Sequence, residues 1–310
     1  MSSALPATDH RPELLLVAPL MPFLLDQLRQ HYTLHDRIHV SDPAAFAAVA
    51  PRIRGVVANG EAKVPRELIA QLPALEVISV FGVGYDGIDV AAAHARGVPV
   101  TNTPAVLNDD VADLAIGLLI AAARRIPQAD RFVRANEWTH GPIALSRKVT
   151  GGRLGIVGMG RIGQAIAERA LAFKMSIAYT YHPDPVALAA AVDFLIVITP
   201  GGAGTKGLID ARVLSALGPE GYLINVARGS VVDQDALIDA LRHGTIAGAG
   251  LDVFANEPNV PEALRALPNV VLTPHIGSGT KQTREAMGQL TFDNLHAHFT
   301  GRPLLTPVDA

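Results

Sequence analysis

Three short segments of the sequence carry an arginine, a glutamate and a histidine, and each follows an apolar run typical of a buried strand. They are residues 225–230, 251–258 and 272–278. Arg228 can form paired hydrogen bonds with a carboxylate and a neighbouring keto oxygen, and it can polarise that carbonyl. His275 can donate a proton, and Glu257 can favour its imidazolium form and orient the ring. Together they suit the reduction of a 2-keto acid.

Each of these residues also has an ordinary structural interpretation when it is taken alone. Arg228 can cap a helix, Glu257 can occupy a solvated turn before a proline, and His275 can be a polar loop residue. Their placement after three successive strands favours the catalytic interpretation, because open parallel sheets bind ligands at the carboxyl ends of their strands.

A glycine pattern at mid-chain predicts where a hydride-carrying dinucleotide binds. The apolar run 153–157 leads into Gly158-x-Gly160-x-x-Gly163, and a helical pattern follows at once. The first glycine makes the tight turn, the second lets a pyrophosphate approach, and the third lets the helix pack on the strand. The N-terminus of the helix offers free N–H groups and the positive end of its dipole.

About 150 residues precede this pattern, and the 310-residue chain is longer than one hydrophobic core usually supports. Short apolar runs alternate with helical patterns before and after it, which is typical of parallel sheets covered on both faces. We expect an α/β protein with two doubly wound parallel-sheet domains and a ligand cleft between them. The predicted boundaries are 1–102 with 284–310 for a flavodoxin-like substrate domain, and 103–283 for a Rossmann cofactor domain.

The composition excludes several other classes of function. The net charge is −3 and the isoelectric point is about 6.4, so nucleic acid and anionic membranes are not expected partners. The absence of cysteine excludes disulfides and thiolate chemistry. No 18-residue apolar span occurs and residues 1–11 lack an apolar signal core, which predicts a cytoplasmic protein. No metal is required, because hydride transfer with arginine polarisation needs none.

The chain resembles the D-isomer-specific 2-hydroxyacid dehydrogenases over essentially its whole length. The matching segments are residues 80–89, residues 103–113, the glycine pattern and the three segments that carry Arg228, Glu257 and His275. The resemblance implies a discontinuous substrate domain and a central NAD(P) domain. It also implies Arg228 as substrate anchor, His275 as acid/base and Glu257 as its partner.

The resemblance extends to further residues of both predicted domains. It implies that backbone N–H groups at Val83 and Gly84 hold the substrate carboxylate, as a nest of consecutive N–H groups can, with Asn59 on the substrate loop. Asp252 is expected near the nicotinamide carboxamide. The full set of expected cofactor-binding residues is Gly158, Met159, Gly160, Arg161, Ile162, Gly163, Thr180, His182, Thr199, Pro200, Thr205, Val226, Ala227, Asp252 and Gly277.

Within this family, residues 199–205 (TPGGAGT) resemble the branch of glyoxylate/hydroxypyruvate and hydroxyphenylpyruvate reductases. The first expectation is therefore reduction of glyoxylate and hydroxypyruvate. Reduction of phenylpyruvates or other bulkier 2-keto acids is the alternative. A more remote alternative is a non-enzymatic dinucleotide sensor similar to the C-terminal-binding-protein corepressors, which carry added interaction tails.

The end of the second strand of the cofactor domain favours NADP over NAD. An NAD enzyme places an acid there to bind the ribose 2′-hydroxyl, whereas residues 178–182 contain none and Asp184 comes later. An arginine for a 2′-phosphate is also missing between Arg169 and Arg212, which leaves Thr180 and His182 as candidates. The stretch 182–191 is roughly ten residues shorter than expected from the family, as if a loop and a small strand were absent.

Trp138 is the only tryptophan, and it follows a long apolar helical pattern at residues 109–125. The resemblance implies a dimer arm in this segment, so a homodimer is expected. A local packing anchor is an equally good interpretation of the tryptophan.

Overall fold

The chain divides into two units in a computed structural model that describes residues 11–181 and 184–309. The first unit runs to Val106 and resumes at Lys281, and the second is Leu107–Thr280. The domain boundaries predicted at 102/103 and 283/284 lie a few residues from these junctions. They stay a prediction, because this division does not show which part of the chain folds alone.

The first unit is built on five parallel strands. They are β1 (Glu13–Leu16), β2 (Thr33–Asp36), β3 (Ile53–Asn59), β4 (Val77–Phe81) and β5 (Val100–Thr101), in the spatial order β2-β1-β3-β4-β5. Strand β4 is buried along its whole length, as expected for an apolar run covered on both faces. The direction of strand order changes between β1 and β3, and ligands bind outside the carboxyl ends of strands at such a switch point.

The second unit is built on six parallel strands. They are β6 (Arg153–Val157), β7 (Ser176–Thr180), β8 (Phe194–Val197), β9 (Tyr222–Asn225), β10 (Gly248–Leu251) and β11 (Val270–Leu272), in the order β11-β10-β9-β8-β6-β7. The switch point falls between β6 and β8. The glycine pattern follows β6, so the fold places it where a doubly wound sheet binds its ligand.

The described residues contain thirteen α-helices. They are α1 (Pro22–His31), α2 (Ile38–Ser41), α3 (Pro43–Val49), α4 (Arg66–Ala70), α5 (Val90–His94), α6 (Asn108–Ala123), α7 (Ile126–Arg134), α8 (Arg161–Ala172), α9 (Val186–Ala190), α10 (Ala211–Leu217), α11 (Gln234–Arg242), α12 (Glu262–Arg265) and α13 (Lys281–Phe299). None of them combines the length and apolar character needed to cross a bilayer. Helix α13 returns to the first unit and packs on β4.

Strand β7 forms an outer edge of its sheet, because among the described strands it pairs with β6 alone. Its residues are all exposed or half-buried, unlike those of the buried strands β8 to β10. The described residues contain no strand between β7 and β8, and the connection holds only the short helix α9. This fits the short connection expected from the sequence.

The predicted fold class, two doubly wound parallel-sheet units with a Rossmann-type order in the second, is confirmed. Some details differ. Strand β2 was not predicted, because its sequence Thr-Leu-His-Asp is half-exposed and has no apolar run. The long helix expected at residues 109–125 begins at Asn108, and Leu107 precedes it without a side-chain cap.

Candidate active site

The glycine turn after β6 has the backbone form that the sequence predicts. Gly158 has φ +103°, and a Cβ atom there would lie 2.7 Å from the carbonyl oxygen of Ile198. A Cβ atom at Gly163 would lie 2.2 Å from the carbonyl oxygen of Gly158, so only glycine lets α8 pack this closely on the turn. At Gly160, by contrast, a Cβ would meet nothing within 4 Å, so the backbone faces open space.

Helix α8 begins directly after Gly160, and no side chain caps it. The first N–H groups of a helix have no partner within the helix, and they carry its positive dipole end. An open glycine surface followed by an uncapped helix start therefore fits the pyrophosphate of a dinucleotide. Arg161 and Ile162, the first two helical residues, are exposed and half-buried, respectively.

The end of β7 lies beside this turn. The Gly158 N–H donates to the carbonyl oxygen of Thr180 at 3.3 Å, and the Tyr181 hydroxyl donates to the carbonyl oxygen of Met159 at 2.7 Å. Thr180 and the turn therefore form one local structure, in the position where a dinucleotide's ribose is bound in this fold. Tyr181 was not predicted, because its role depends on a contact 22 residues away along the chain. His182 lies outside the described residues.

The loops after β9 and β10 are in direct contact. A Cβ atom at Gly229 would lie 1.9 Å from the carbonyl carbon of Phe254 and 2.4 Å from the amide nitrogen of Ala255. Gly229 follows Arg228, which is half-buried, and Phe254 precedes Glu257 by three residues. The chain thus holds the arginine-bearing and glutamate-bearing loops together through backbone packing at a glycine.

Glu257 is held by both of its carboxylate oxygens. Oε1 accepts a hydrogen bond from the Phe254 N–H at 2.7 Å, and Oε2 lies 2.7 Å from Nδ1 of His275. The side chains of Glu257 and His275 are 20% and 30% exposed, so a ligand can still reach the ring. Because Nδ1 faces the carboxylate, proton exchange with a ligand falls to Nε2 of the ring.

Asp252 supports the loop that presents His275. Its carboxylate accepts hydrogen bonds from the Thr273 hydroxyl at 2.6 Å, from the Ile276 N–H at 2.8 Å and from the Gly277 N–H at 2.8 Å. The His275 N–H donates to the Asp252 carbonyl oxygen at 2.9 Å, and His275 itself has φ +53°. Asp252 is only 1% exposed, and burial raises its pKa above the ordinary value while these hydrogen bonds oppose the rise.

Asp252 and Gly277 were expected among the cofactor-binding residues. In the structure they bind each other, because the Gly277 N–H donates to the Asp252 carboxylate. Both carboxylate oxygens of Asp252 already hold residues 273–277. The burial of Asp252 could not have been predicted from the segment Leu-Asp-Val-Phe alone. The available signal for a role of Asp252 was its position as a polar residue at the end of an apolar strand. Thr273, which completes this network, was not predicted to have a role.

The remaining expected cofactor residues lie on two loops of the second unit. Residues 199–205 form a loop that the Thr205 hydroxyl closes by donating to the Pro200 carbonyl oxygen at 2.7 Å, with Thr199 half-buried and Pro200 exposed. Val226 and Ala227 are 6% and 4% exposed. Their side chains are in the core, so only their backbone is available to a ligand.

In the first unit, the segment after β4 has the features of an anion-binding nest. The Gly82 N–H donates to the Thr103 hydroxyl at 3.1 Å, and the Val83 carbonyl oxygen accepts from the Asn102 amide at 2.9 Å. The next two N–H groups, of Val83 and Gly84, donate to no other described residue, and both residues are half-buried. Two adjacent free N–H groups at a strand's carboxyl end suit a carboxylate.

The loop that begins at Asn59 lies beside this nest. Strands β3 and β4 pair in register, with Asn59 opposite Phe81, and a Cβ atom at Gly82 would lie 3.3 Å from the Cα of Gly60. The Asn59 side-chain oxygen accepts from the Glu61 N–H at 3.1 Å. Asn59 therefore shapes its own turn, and its strand partner Phe81 leads into the segment of Val83 and Gly84.

Comparison with known proteins agrees with this geometry. Residues 116–277 match the family model described as the NAD binding domain of D-isomer specific 2-hydroxyacid dehydrogenases. A hydroxyphenylpyruvate reductase of Plectranthus scutellarioides is 47% identical over 308 residues, covering 95% of this chain and 98% of the relative. A glyoxylate/hydroxypyruvate reductase of Arabidopsis thaliana is 46% identical over 307 residues, covering 95% and 98%.

A solved structure with the same fold is the NADPH-dependent glyoxylate/hydroxypyruvate reductase of Sinorhizobium meliloti in complex with NADP and malonate. It has a TM-score of 0.89 and 49% identity, and the match covers 96% of this chain and 97% of that chain. The family model and the relatives leave no need for the remote sensor interpretation. The chain is an oxidoreductase with an NAD-binding domain, and it belongs to the D-isomer specific 2-hydroxyacid dehydrogenase family.

Proposed function

We propose that the protein reduces small 2-keto acids, glyoxylate and hydroxypyruvate in particular, to the corresponding 2-hydroxy acids. The observation that carries this proposal is the Glu257–His275 pair, 2.7 Å apart, on a loop network that also includes Arg228 through Gly229. The names of the relatives support the choice of small substrates.

His275 is the proton donor in this proposal. Glu257 accepts at Nδ1 and so favours the doubly protonated ring, which directs the proton on Nε2 towards the keto oxygen. Since Glu257 is itself held by the Phe254 N–H, the ring orientation is set before substrate arrives. When bound, a nicotinamide dinucleotide supplies the hydride to the keto carbon.

Arg228 anchors the substrate and polarises its keto group. A guanidinium offers donors in a planar fork, which suits a carboxylate and an adjacent carbonyl oxygen, and it stabilises the negative charge that develops on that oxygen. Asn225 supports the backbone at this position, since its side-chain amide donates to the Arg228 carbonyl oxygen at 3.0 Å. In the first unit, the free N–H groups of Val83 and Gly84 bind the substrate carboxylate.

The cofactor preference that we propose is NADP. No acidic side chain ends β7, and the carboxylate of Asp184, the first acid afterwards, accepts from the Val186 N–H at 3.3 Å and from Arg212 at 3.5 Å. That carboxylate lies beyond the strand and contacts the start of α9 and Arg212, whereas an NAD enzyme places an acid at the strand end to bind the ribose. The NADP in the Sinorhizobium meliloti structure supports the same preference.

A homodimer is proposed as the working form. Exposed apolar side chains accumulate after α6: Ile126, Val133, Trp138 and Leu145 are 50%, 56%, 69% and 97% exposed. A run of apolar side chains this exposed is typical of an interaction surface. Sedimentation as a monomer at micromolar concentration would contradict the dimer. The expected lack of nucleic-acid partners and the cytoplasmic location stay predictions.

Initial rates of absorbance loss at 340 nm test the function directly. NADPH and NADH are each paired with glyoxylate, hydroxypyruvate and phenylpyruvate. Fast NADPH oxidation with the two small acids supports the reaction, the substrate class and the cofactor. Faster turnover of phenylpyruvate would instead support the aryl-pyruvate alternative, which the Plectranthus relative favours. No turnover with any pair would overturn the proposal.

A further inference from the structure

Glu61 is an acidic residue in the loop of the first unit that follows β3. It is exposed, and it stands two residues beyond the end of the strand, at the switch point of the sheet. Carboxyl ends at a switch point are where doubly wound sheets place ligands. An acid in this position is unexpected for a protein whose proposed substrates are themselves anions.

The position of Glu61 is fixed by short-range contacts. The Glu61 N–H donates to the Asn59 side chain at 3.1 Å, and the Ala62 N–H donates to the Asn59 carbonyl oxygen at 3.2 Å, which closes a tight turn. On the neighbouring side, Gly60 lies so near Gly82 that a Cβ atom at Gly82 would stand 3.3 Å from its backbone. The first residue of the turn is anchored to the sheet, because Asn59 pairs with Phe81, and the backbone of Gly60 lies close to Gly82.

Glu61 follows Gly60 directly, and the backbone of Gly60 lies close to Gly82, the residue that precedes the nest formed by the N–H groups of Val83 and Gly84. Neighbouring strands lie about 4.8 Å apart, and Gly60 and Gly82 each follow directly after a paired strand end, with Asn59 opposite Phe81. A 2-keto acid whose carboxylate occupies the nest has its third carbon only two bonds further on. The substituent on that carbon is therefore within reach of the turn that carries Glu61.

A carboxylate at this point distinguishes substituents by charge and by hydrogen bonding. It accepts a hydrogen bond from a hydroxyl group, and charge-assisted bonds of this kind are stronger than neutral ones. It repels a second carboxylate. A plain methyl group gains nothing from it.

We propose that Glu61 determines substrate specificity: it favours 2-keto acids with a hydroxyl group on the third carbon and disfavours those with a second carboxylate. The inference rests on the proposed function, since it assumes that the substrate carboxylate binds at Val83 and Gly84. It assigns the selected class as 2-keto acids with hydroxylated side chains, of which hydroxypyruvate is the smallest.

The experiment measures kcat/KM with NADPH for three substrates that differ only on the third carbon: hydroxypyruvate, pyruvate and oxaloacetate. In Glu61→Ala, the hydroxypyruvate-to-pyruvate ratio falls about tenfold or more, the factor that one hydrogen bond to a charged group contributes. The oxaloacetate-to-pyruvate ratio rises by a similar factor. Glu61→Gln keeps an oxygen acceptor but no charge, so it raises the oxaloacetate ratio equally and lowers the hydroxypyruvate ratio less.

Glu67→Gln is the matched control, because Glu67 is an exposed acid of the same unit on α4, outside this loop. It leaves both ratios unchanged, and the pyruvate rate of each variant reports whether the site is intact. Unchanged ratios in both Glu61 variants, with normal turnover by the wild type, overturn the role of Glu61 and leave the proposed function standing. Failure of the wild type to reduce glyoxylate or hydroxypyruvate overturns the proposed function, and this inference with it.

Discussion

Gly229 and Phe254 meet at a distance that no other residue type at position 229 permits. A Cβ atom on Gly229 would stand 1.9 Å from the carbonyl carbon of Phe254 and 2.0 Å from its oxygen. These atoms belong to backbone, which cannot rotate aside as a side chain can. The close packing between the loops of Arg228 and Glu257 therefore depends on the absence of a Cβ atom at Gly229.

Gly229→Ala tests that dependence. The two loops must separate to admit the methyl group, which costs about 1–3 kcal/mol of unfolding free energy and displaces Arg228 from the Glu257 loop. We expect kcat/KM to fall about 100-fold, since a shift of about 1 Å in a positioning group has this effect. Urea unfolding and initial rates measure the two quantities. Gly117→Ala is the control: a Cβ there meets nothing within 4 Å, and the position is helical. Equal effects of the two substitutions would contradict the argument.

His275→Ala removes the proposed proton donor. Turnover should fall by about 10² to 10⁴, the usual contribution of general acid catalysis, while NADPH affinity, measured by fluorescence titration, stays nearly unchanged. An equal loss of turnover and affinity would mean that His275 is structural.

Glu257→Gln tests the partner of the histidine through pH. The imidazolium loses its anionic partner, so the protonated ring becomes less favoured and reduction activity should decline at a lower pH than in the wild type. The amide can still accept from the Phe254 N–H, so the loop keeps its shape. The measurement is kcat/KM for glyoxylate between pH 5 and pH 9. A profile that coincides with that of the wild type would exclude the coupling.

Thr180→Asp supplies the acid that is missing at the end of β7. A carboxylate there repels a 2′-phosphate and accepts from ribose hydroxyls, so the ratio of kcat/KM for NADPH over NADH should fall by about tenfold or more. Thr180→Asn, which has a similar size and no charge, is the matched control. If both variants keep the wild-type ratio, Thr180 is not where the cofactors are distinguished.

The contacts of Asp193 predict that part of the unfolding free energy is lost in acid. It accepts from the Arg153 N–H at 2.8 Å and the Arg153 guanidinium at 2.9 Å, and from Arg147 at 3.2 Å. The Arg153 side chain is the main reason that the Asp193 pKa is lowered from 3.8. Because the folded pKa is below the unfolded one, the stabilisation is complete above about pH 4 and is lost as the pH falls through the folded pKa.

Asp193→Asn should therefore lower the unfolding free energy by about 1–2 kcal/mol at pH 7, and the difference from the wild type should shrink below about pH 4. Guanidinium unfolding at pH 7, 5 and 3 measures it. Glu168→Gln, at an exposed position on α8, should show no such difference. A gap between wild type and Asp193→Asn that persists at pH 3 would contradict this assignment.

Local signals in the sequence predicted most of the fold. The apolar runs that became β3, β4, β8 and β9 are buried strands, and the spacing of Gly158, Gly160 and Gly163 correctly placed a turn followed by a helix. These strands and this turn depend on residue types that lie within a few positions of one another along the chain. Helix α7 was not predicted, and none of its residues is buried.

The residues of the candidate site could be selected from the sequence, and their roles stay predictions, whereas the contacts that support them could not be predicted. Arg228, Glu257 and His275 stand out because each is a charged or titratable residue after an apolar run. The closeness of Gly229 to Phe254 and the three hydrogen bonds to Asp252 arise between segments more than 20 residues apart. Only the folded chain reveals them.

The outer position of β7 separates the proposed site of coenzyme choice from the loops of the proposed catalytic residues. The described strand pairs on one side only, while the loops with Arg228, Glu257 and His275 follow strands on the far side of β6. Chain can therefore be gained, lost or exchanged at the end of β7 without opening the buried ladder from β8 to β11. The proposed site of coenzyme choice is thus open to evolutionary or engineered revision at little risk to the loops of the proposed catalytic residues.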